Sequence, residues 1–98
     1  MILTQENIKK TIHDYFKDKP VNKVYLFGSY ARGDADEESD VDLLVELDYS
    51  KHIGLSFYGW KDELKSYLNK KVDVVSEKGL SEFIGPFILK DKSLVYER

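Results

Sequence analysis

Apolar and polar positions alternate along this chain in two distinct rhythms, and the rhythm changes several times. Ile8, Ile12, Tyr15 and Phe16 recur at helical spacing. Thr4 precedes them as a cap, with Gln5 and Glu6 giving a polar, acidic first turn, and Pro20 sets the limit of the helix. Val21 to Phe27 alternates around Val24 and Leu26 and predicts a strand that runs into Gly28. Tyr30 to Ser39 is glycine-containing and acidic, which predicts a loop with room for one helical turn. Val41 to Leu47, rich in Val and Leu, predicts a second strand.

From Leu55 to Leu68, the positions Phe57, Trp60, Leu64, Tyr67 and Leu68 mark one face of a helix. Lys71 to Ser76 is short and β-branched, a third strand. Leu80 to Lys90 predicts a helix that Gly85-Pro86 either starts or kinks, and Leu94 to Tyr96 predicts a short edge strand. The order helix, strand, strand, helix, strand, helix is an α/β arrangement: one small sheet backed by helices.

With 98 residues, the chain is expected to form a single domain spanning 1–98. Composition narrows the chemistry. The absence of cysteine removes disulfides, thiolate zinc sites and cysteine nucleophiles, and fits a reducing, cytoplasmic setting. No apolar run reaches the length of a membrane span, and the N-terminal residues lack the hydrophobic stretch of a signal peptide. Fifteen basic and 18 acidic residues are well mixed, with a net charge of -3, so no basic stripe exists to attract a nucleic-acid backbone. Direct nucleic-acid binding is therefore disfavoured. A nucleotide that brings its own cations is not.

The residues that carry chemistry cluster at the ends of the predicted strands. Gly28 lets the backbone turn sharply and approach a ligand, and the Ser29 hydroxyl and nearby N–H groups can donate to phosphate oxygens. Asp40 and Asp42 sit one residue apart at a strand start, where period-two geometry puts both carboxylates on one face, about 6.8 Å apart. Their repulsion is roughly 2–3 kcal/mol at an effective dielectric of 20. Neighbouring Val41, Leu43 and Leu44 do nothing to offset it. A Mg²⁺ ion would, since it takes hard oxygen ligands.

Asp73, inside Val72-Asp73-Val74-Val75, adds a third carboxylate where an unpaired charge is costly. If its strand lies beside Val41–Leu47, the three can hold two metal ions, and Asp73 can take the proton of an attacking hydroxyl. The plainer alternatives are a solvated strand edge for Asp40 and Asp42, and a structural ion pair of Asp73 with Lys71 or Lys23.

The run Gly28-Ser29-Tyr30-Ala31-Arg32-Gly33, followed by Ser39-Asp40-Val41-Asp42-Leu43-Leu44-Val45, resembles the signature of the minimal nucleotidyltransferases. These are the smallest members of the DNA polymerase β-like superfamily, with Gly-Ser, ten intervening residues, then Asp-x-Asp; Tyr30 to Ser39 supplies the ten. Lys71-Val72-Asp73-Val74-Val75 is similar to the family's third carboxylate strand. The resemblance implies a small mixed β-sheet backed by helices. It implies Gly28 and Ser29 on the nucleotide phosphates, and Asp40, Asp42 and Asp73 as catalytic residues and ligands of two Mg²⁺ ions, Mn²⁺ being a second option. Arg32 matches an Ala-Arg-Gly element and either touches phosphate or ties the loop to an acidic neighbour.

Stand-alone members of this family resemble the antitoxin of a two-protein module. The resemblance implies AMP transfer from ATP to a tyrosine of a partner HEPN-domain toxin, in a hetero-oligomeric complex. Two alternatives stay open: an antitoxin that neutralises by binding alone, and a transferase acting on a small hydroxylated molecule. The small size disfavours the latter, since an enclosed acceptor pocket needs more protein.

Other features carry less. Trp60, Phe57 and Tyr67 read better as a core stripe than as a base-stacking platform. His13 and His52 lack partners at ligand spacing, and the acidic run Asp34 to Glu38 lacks the spacing of a calcium loop. Tyr30 and Tyr96 are noted as self-modification positions only because of where they fall in the sequence.

Overall fold

The computed structural model describes residues 3–77 and 90–98. The first helix, α1 (Gln5–Phe16), begins where the Thr4 side chain accepts a hydrogen bond from the Asn7 N–H at 3.1 Å. Ile8, Ile12, Tyr15 and Phe16 form its buried face. The helix stops at Phe16, and a tight turn (Lys19 N–H to the Phe16 carbonyl, 3.0 Å) delivers the chain through Pro20 into β1 (Val21–Phe27). A single turn, α2 (Ser29–Arg32), leads to β2 (Val41–Leu47).

A 3₁₀ helix (Gly54–Gly59), α3 (Trp60–Leu68) and β3 (Val72–Ser76) follow, and β4 (Ser93–Glu97) closes the described chain. The helix expected over Leu80 to Lys90, with its Gly85-Pro86 break, lies outside the described residues apart from its last position.

The four strands form one mixed sheet in the order β3-β2-β1-β4. β1 pairs antiparallel with both β2 and β4, while β3 runs parallel to β2. A parallel neighbour requires a crossover, and the 3₁₀ helix with α3 provides it. Alternation then separates the two faces of β2. Val41, Leu43, Val45 and Leu47 are buried in the core with Phe16, Trp60 and Leu64, whereas Asp42, Leu44 and Glu46 occupy the opposite face.

Two details depart from the helix expected over Leu55 to Leu68. The first part winds as a 3₁₀ helix between Gly54 and Gly59, and only α3 from Trp60 onward is α-helical. Glycines at both ends weaken the α-helix there, and the tighter winding turns Leu55 and Tyr58 to solvent. Phe57 keeps its core contact through an edge-on stack against Trp60 at 5.3 Å. The second departure is Tyr67. Trp60, Leu64 and Leu68 make a complete i, i+4, i+8 strip to the core, which leaves Tyr67 on the flank, 67% exposed. α3 ends at Asn69, whose left-handed backbone (φ 54) caps it with an N–H bond to the Lys65 carbonyl.

Candidate functional site

The site forms where β1 ends, because β1 cannot continue past Gly28. That residue has φ 76 and ψ -153, a conformation open essentially to glycine alone. A Cβ on Gly28 would collide with Oδ2 of Asp42, so the turn and the carboxylate are in direct apposition. The cause lies in the sheet register: Phe27, the last residue of β1, pairs with Asp42. The turn continues into α2, where the N–H groups of Ala31 and Arg32 bond to the Gly28 carbonyl. Helix geometry leaves the first-turn N–H groups of Ser29 and Tyr30 outside that ladder.

Gly33 (φ 85) closes the turn, its N–H bonded to the Ser29 carbonyl. α1 braces the assembly, since Gln5 Nε2 donates to the Tyr30 carbonyl at 2.7 Å and the Tyr30 ring is buried.

The parallel pairing of β2 and β3 brings Asp42 and Asp73 into register as direct cross-strand partners, side chains on one face. Asp40 lies just before β2. The Asp42 carboxyl is pushed up to about 6, first by burial and then by the charges of Asp73 and Asp40; Arg32 and Lys71 pull it partly back. No hydrogen bond or ion pair to Asp42 or Asp73 is found among the described residues. Asp73 therefore does not form the structural pair with Lys71 or Lys23 that the sequence left open. Lys71 turns instead to Asp40, Nζ to Oδ2 at 3.9 Å, from the turn that precedes β3.

These carboxylates suit a hard divalent cation in chemistry: three oxygen donors, one of them desolvated and repelled by the other two. They are not, however, a finished centre. Among the described residues no three carboxylate, histidine or cysteine side chains stand close enough to hold a metal ion as they are. Mutual repulsion disfavours the close approach of uncompensated carboxylates, and Asp40 faces the Lys71 ammonium instead.

Arg32 meets two acidic side chains. Its Nε donates to Asp34 at 3.2 Å and its Nη1 to Asp91 at 3.1 Å. Asp91, at the far end of the chain, had no signal in the sequence; only the return of β4 alongside β1 brings it near. The acidic loop is held by its own turn, in which Asp36 accepts from the Glu38 N–H and its N–H donates to Ser39. Tyr30 and Tyr96 are buried residues, 3% and 6% exposed. No helix of the described residues is long and apolar enough to cross a membrane.

A family model, polymerase beta nucleotidyltransferase, matches residues 6–98. A Methanocaldococcus jannaschii protein, provisionally named a protein adenylyltransferase, is 38% identical over 94 residues, covering 90% of this chain and 85% of its own. The protein adenylyltransferase MntA of Thermococcus cleftensis is 32% identical over 94 residues, covering 92% and 94%.

A solved structure provisionally described as a minimal nucleotidyltransferase superposes with a TM-score of 0.74 at 30% identity, over 93% of this chain and 95% of that one. A toxin–antitoxin complex with AMP-PNP gives 0.74 at 22% identity, over 98% and 75%. A tri-AMPylated Shewanella oneidensis HEPN toxin in complex with its MNT antitoxin gives 0.73 at 20%, over 97% and 74%. The last two bear on the fold alone. From its sheet, its Gly-Ser turn and the matched span, the chain belongs to the polymerase β nucleotidyltransferase family.

Proposed function

We propose that this chain is a metal-dependent protein adenylyltransferase that moves AMP from ATP onto a tyrosine of a partner HEPN toxin and thereby acts as its antitoxin. The observation that carries this reading is the apposition of the Gly28 turn to Asp42, with Asp73 in register beside it. Relatives named protein adenylyltransferases, matched over nearly their full length, support the reaction class. The AMP-PNP complex of one structural neighbour supports ATP as donor, and the HEPN–MNT complex of another supports the partner and a hetero-oligomer.

In this reading the N–H groups and hydroxyl around Ser29 would hold the terminal phosphates, and Asp40, Asp42 and Asp73 would hold two Mg²⁺ or Mn²⁺ ions. When bound, the ions would neutralise the polyphosphate and lower the pKa of the attacking hydroxyl. Asp73 receives the phenol proton. The phenolate oxygen bonds to the α-phosphorus, the bond from that phosphorus to the bridging oxygen breaks, and pyrophosphate leaves. Arg32 adds positive charge beside the turn, steadied by Asp34 and Asp91.

The open carboxylate arrangement favours one second reading, neutralisation of the toxin by binding alone. Incubation with labelled ATP, Mg²⁺ and a HEPN protein encoded beside this chain separates the two. The proposal expects label on the HEPN protein, lost on Asp40→Ala with Asp42→Ala. Full neutralisation by that double variant would overturn the claim that chemistry is required.

A further inference from the structure

α1 and α3 bury their apolar strips against the sheet, but the outer margin of the seam between them is not filled. A cleft of about 420 Å³ opens there, lined by none of the residues assigned above to nucleotide or metal. Its walls are two tyrosines, Tyr15 from α1 and Tyr67 from α3, with ring centroids 6.0 Å apart and planes inclined by 58°. Tyr15 is fixed: its ring is buried and its hydroxyl donates to Glu63 Oε2 at 2.8 Å. Tyr67 stands open to solvent, though an aromatic ring at that helical spacing ordinarily joins the core.

Around the rings lie Asp14, Asp18 and Glu63 against one basic group, Lys19. The Lys19 ammonium sits 4.5 Å from the centroid of Tyr15 and 3.2 Å from Asp18. The chain thus already places a cation of its own against an aromatic face and a carboxylate, the two elements that recognise cations. Asp14 also faces His13 Nδ1 at 3.6 Å, but the cleft's single ammonium does not balance its three carboxylates, and among the described residues no cation sits over the Tyr67 ring.

We propose that this cleft is a docking site for an arginine side chain of the protein acceptor, the guanidinium stacking on Tyr67 and bonding to Glu63 and Asp18. Arginine fits better than lysine because its planar, weakly hydrated head can stack and donate in the plane at once. The inference rests on the reading that the acceptor is a protein. It assigns that partner a basic contact away from the reacting hydroxyl.

The test has two arms. In the first, the isolated protein is titrated with an end-blocked Gly-Arg-Gly peptide and with its citrulline counterpart, followed by NMR. Shifts confined to Tyr15, Glu63 and Tyr67 are expected, with Tyr67→Ala and Glu63→Gln each weakening binding about threefold to fivefold. Equal response to the neutral citrulline peptide, no response, or shifts elsewhere would overturn the inference.

In the second arm, AMP transfer to the HEPN acceptor is measured. The same variants should raise KM for the acceptor and leave kcat unchanged, and an unchanged KM would again overturn it. Absence of transfer by the unaltered protein would count against the proposed function instead, and the peptide titration then decides the cleft by itself.

Discussion

Replacing Gly28 by alanine tests the geometry on which the site depends. Two separate costs follow from the structure. The backbone at φ 76 and ψ -153 is nearly closed to any residue with a Cβ, a strain of roughly 1–3 kcal/mol. The added methyl also meets Asp42 Oδ2, so either the turn or the carboxylate must move. Taking about 2 kcal/mol for the backbone strain alone, and 4–8 °C of melting temperature per kcal/mol for a domain of this size, Gly28→Ala should melt about 8–16 °C lower, and the collision adds to that.

Transfer activity should fall further than stability, since even the folded fraction holds Asp42 out of place. A displacement of about 1 Å at a reacting centre can cost a hundredfold. Thermal unfolding by circular dichroism and initial-rate transfer assays check both. Combining Gly28→Ala with Asp42→Ala partitions the cost, because the second change removes the collision and leaves the backbone strain. Against the Asp42→Ala single variant, the double variant should still lose stability. If Gly28→Ala melts with the unaltered protein, or if removing Asp42 erases its whole cost, the backbone argument is wrong.

The raised Asp42 pKa makes a pH prediction for the metal-free protein. A carboxyl that ionises at about 6 when folded, but near 4 when unfolded, destabilises the fold as pH rises through that interval and by a constant amount above it. In chelator, Asp42→Asn should therefore melt above the unaltered protein at pH 7 and converge with it below pH 4; parallel curves would refute the assignment. Mg²⁺ should raise the melting temperature, by the equivalent of about 2.7 kcal/mol at a hundredfold excess over its dissociation constant. That gain should vanish in Asp42→Ala and in Asp73→Ala, as followed by differential scanning fluorimetry. Thr4→Ala removes the α1 cap and should cost about 1 kcal/mol in urea unfolding, with transfer rates unchanged. Arg32→Ala breaks two exposed ion pairs and should barely move the melting temperature. A raised KM for ATP in the same variant would place its guanidinium on phosphate during turnover.

The sequence by itself determined the local elements and which side chains stand at their ends. The Thr4 cap, the i, i+4 strip of α1 and the alternation of β1 and β2 are short-range physics, and the observed bounds of β1 and β2 coincide with those read from the pattern. Gly28, Ser29 and the Asp40–Asp42 pair were legible because a strand end fixes where its next residues point. Trp60 and Leu64 were legible as core from periodicity alone.

Longer-range outcomes were not legible. Whether Tyr67 would be buried depended on how close α1 approaches α3; the core strip of α3 runs through Trp60, Leu64 and Leu68, and Tyr67 is left on the open margin of that seam. Whether Asp73 meets Asp42 depended on the order and direction of strands, which the β2–β3 parallel register decided. Lys71 found Asp40, and Arg32 found Asp91, only because the sheet brought distant segments together. Periodicity reports which face of an element is apolar; which charges share the polar face is set by packing between elements, and no local pattern encodes it.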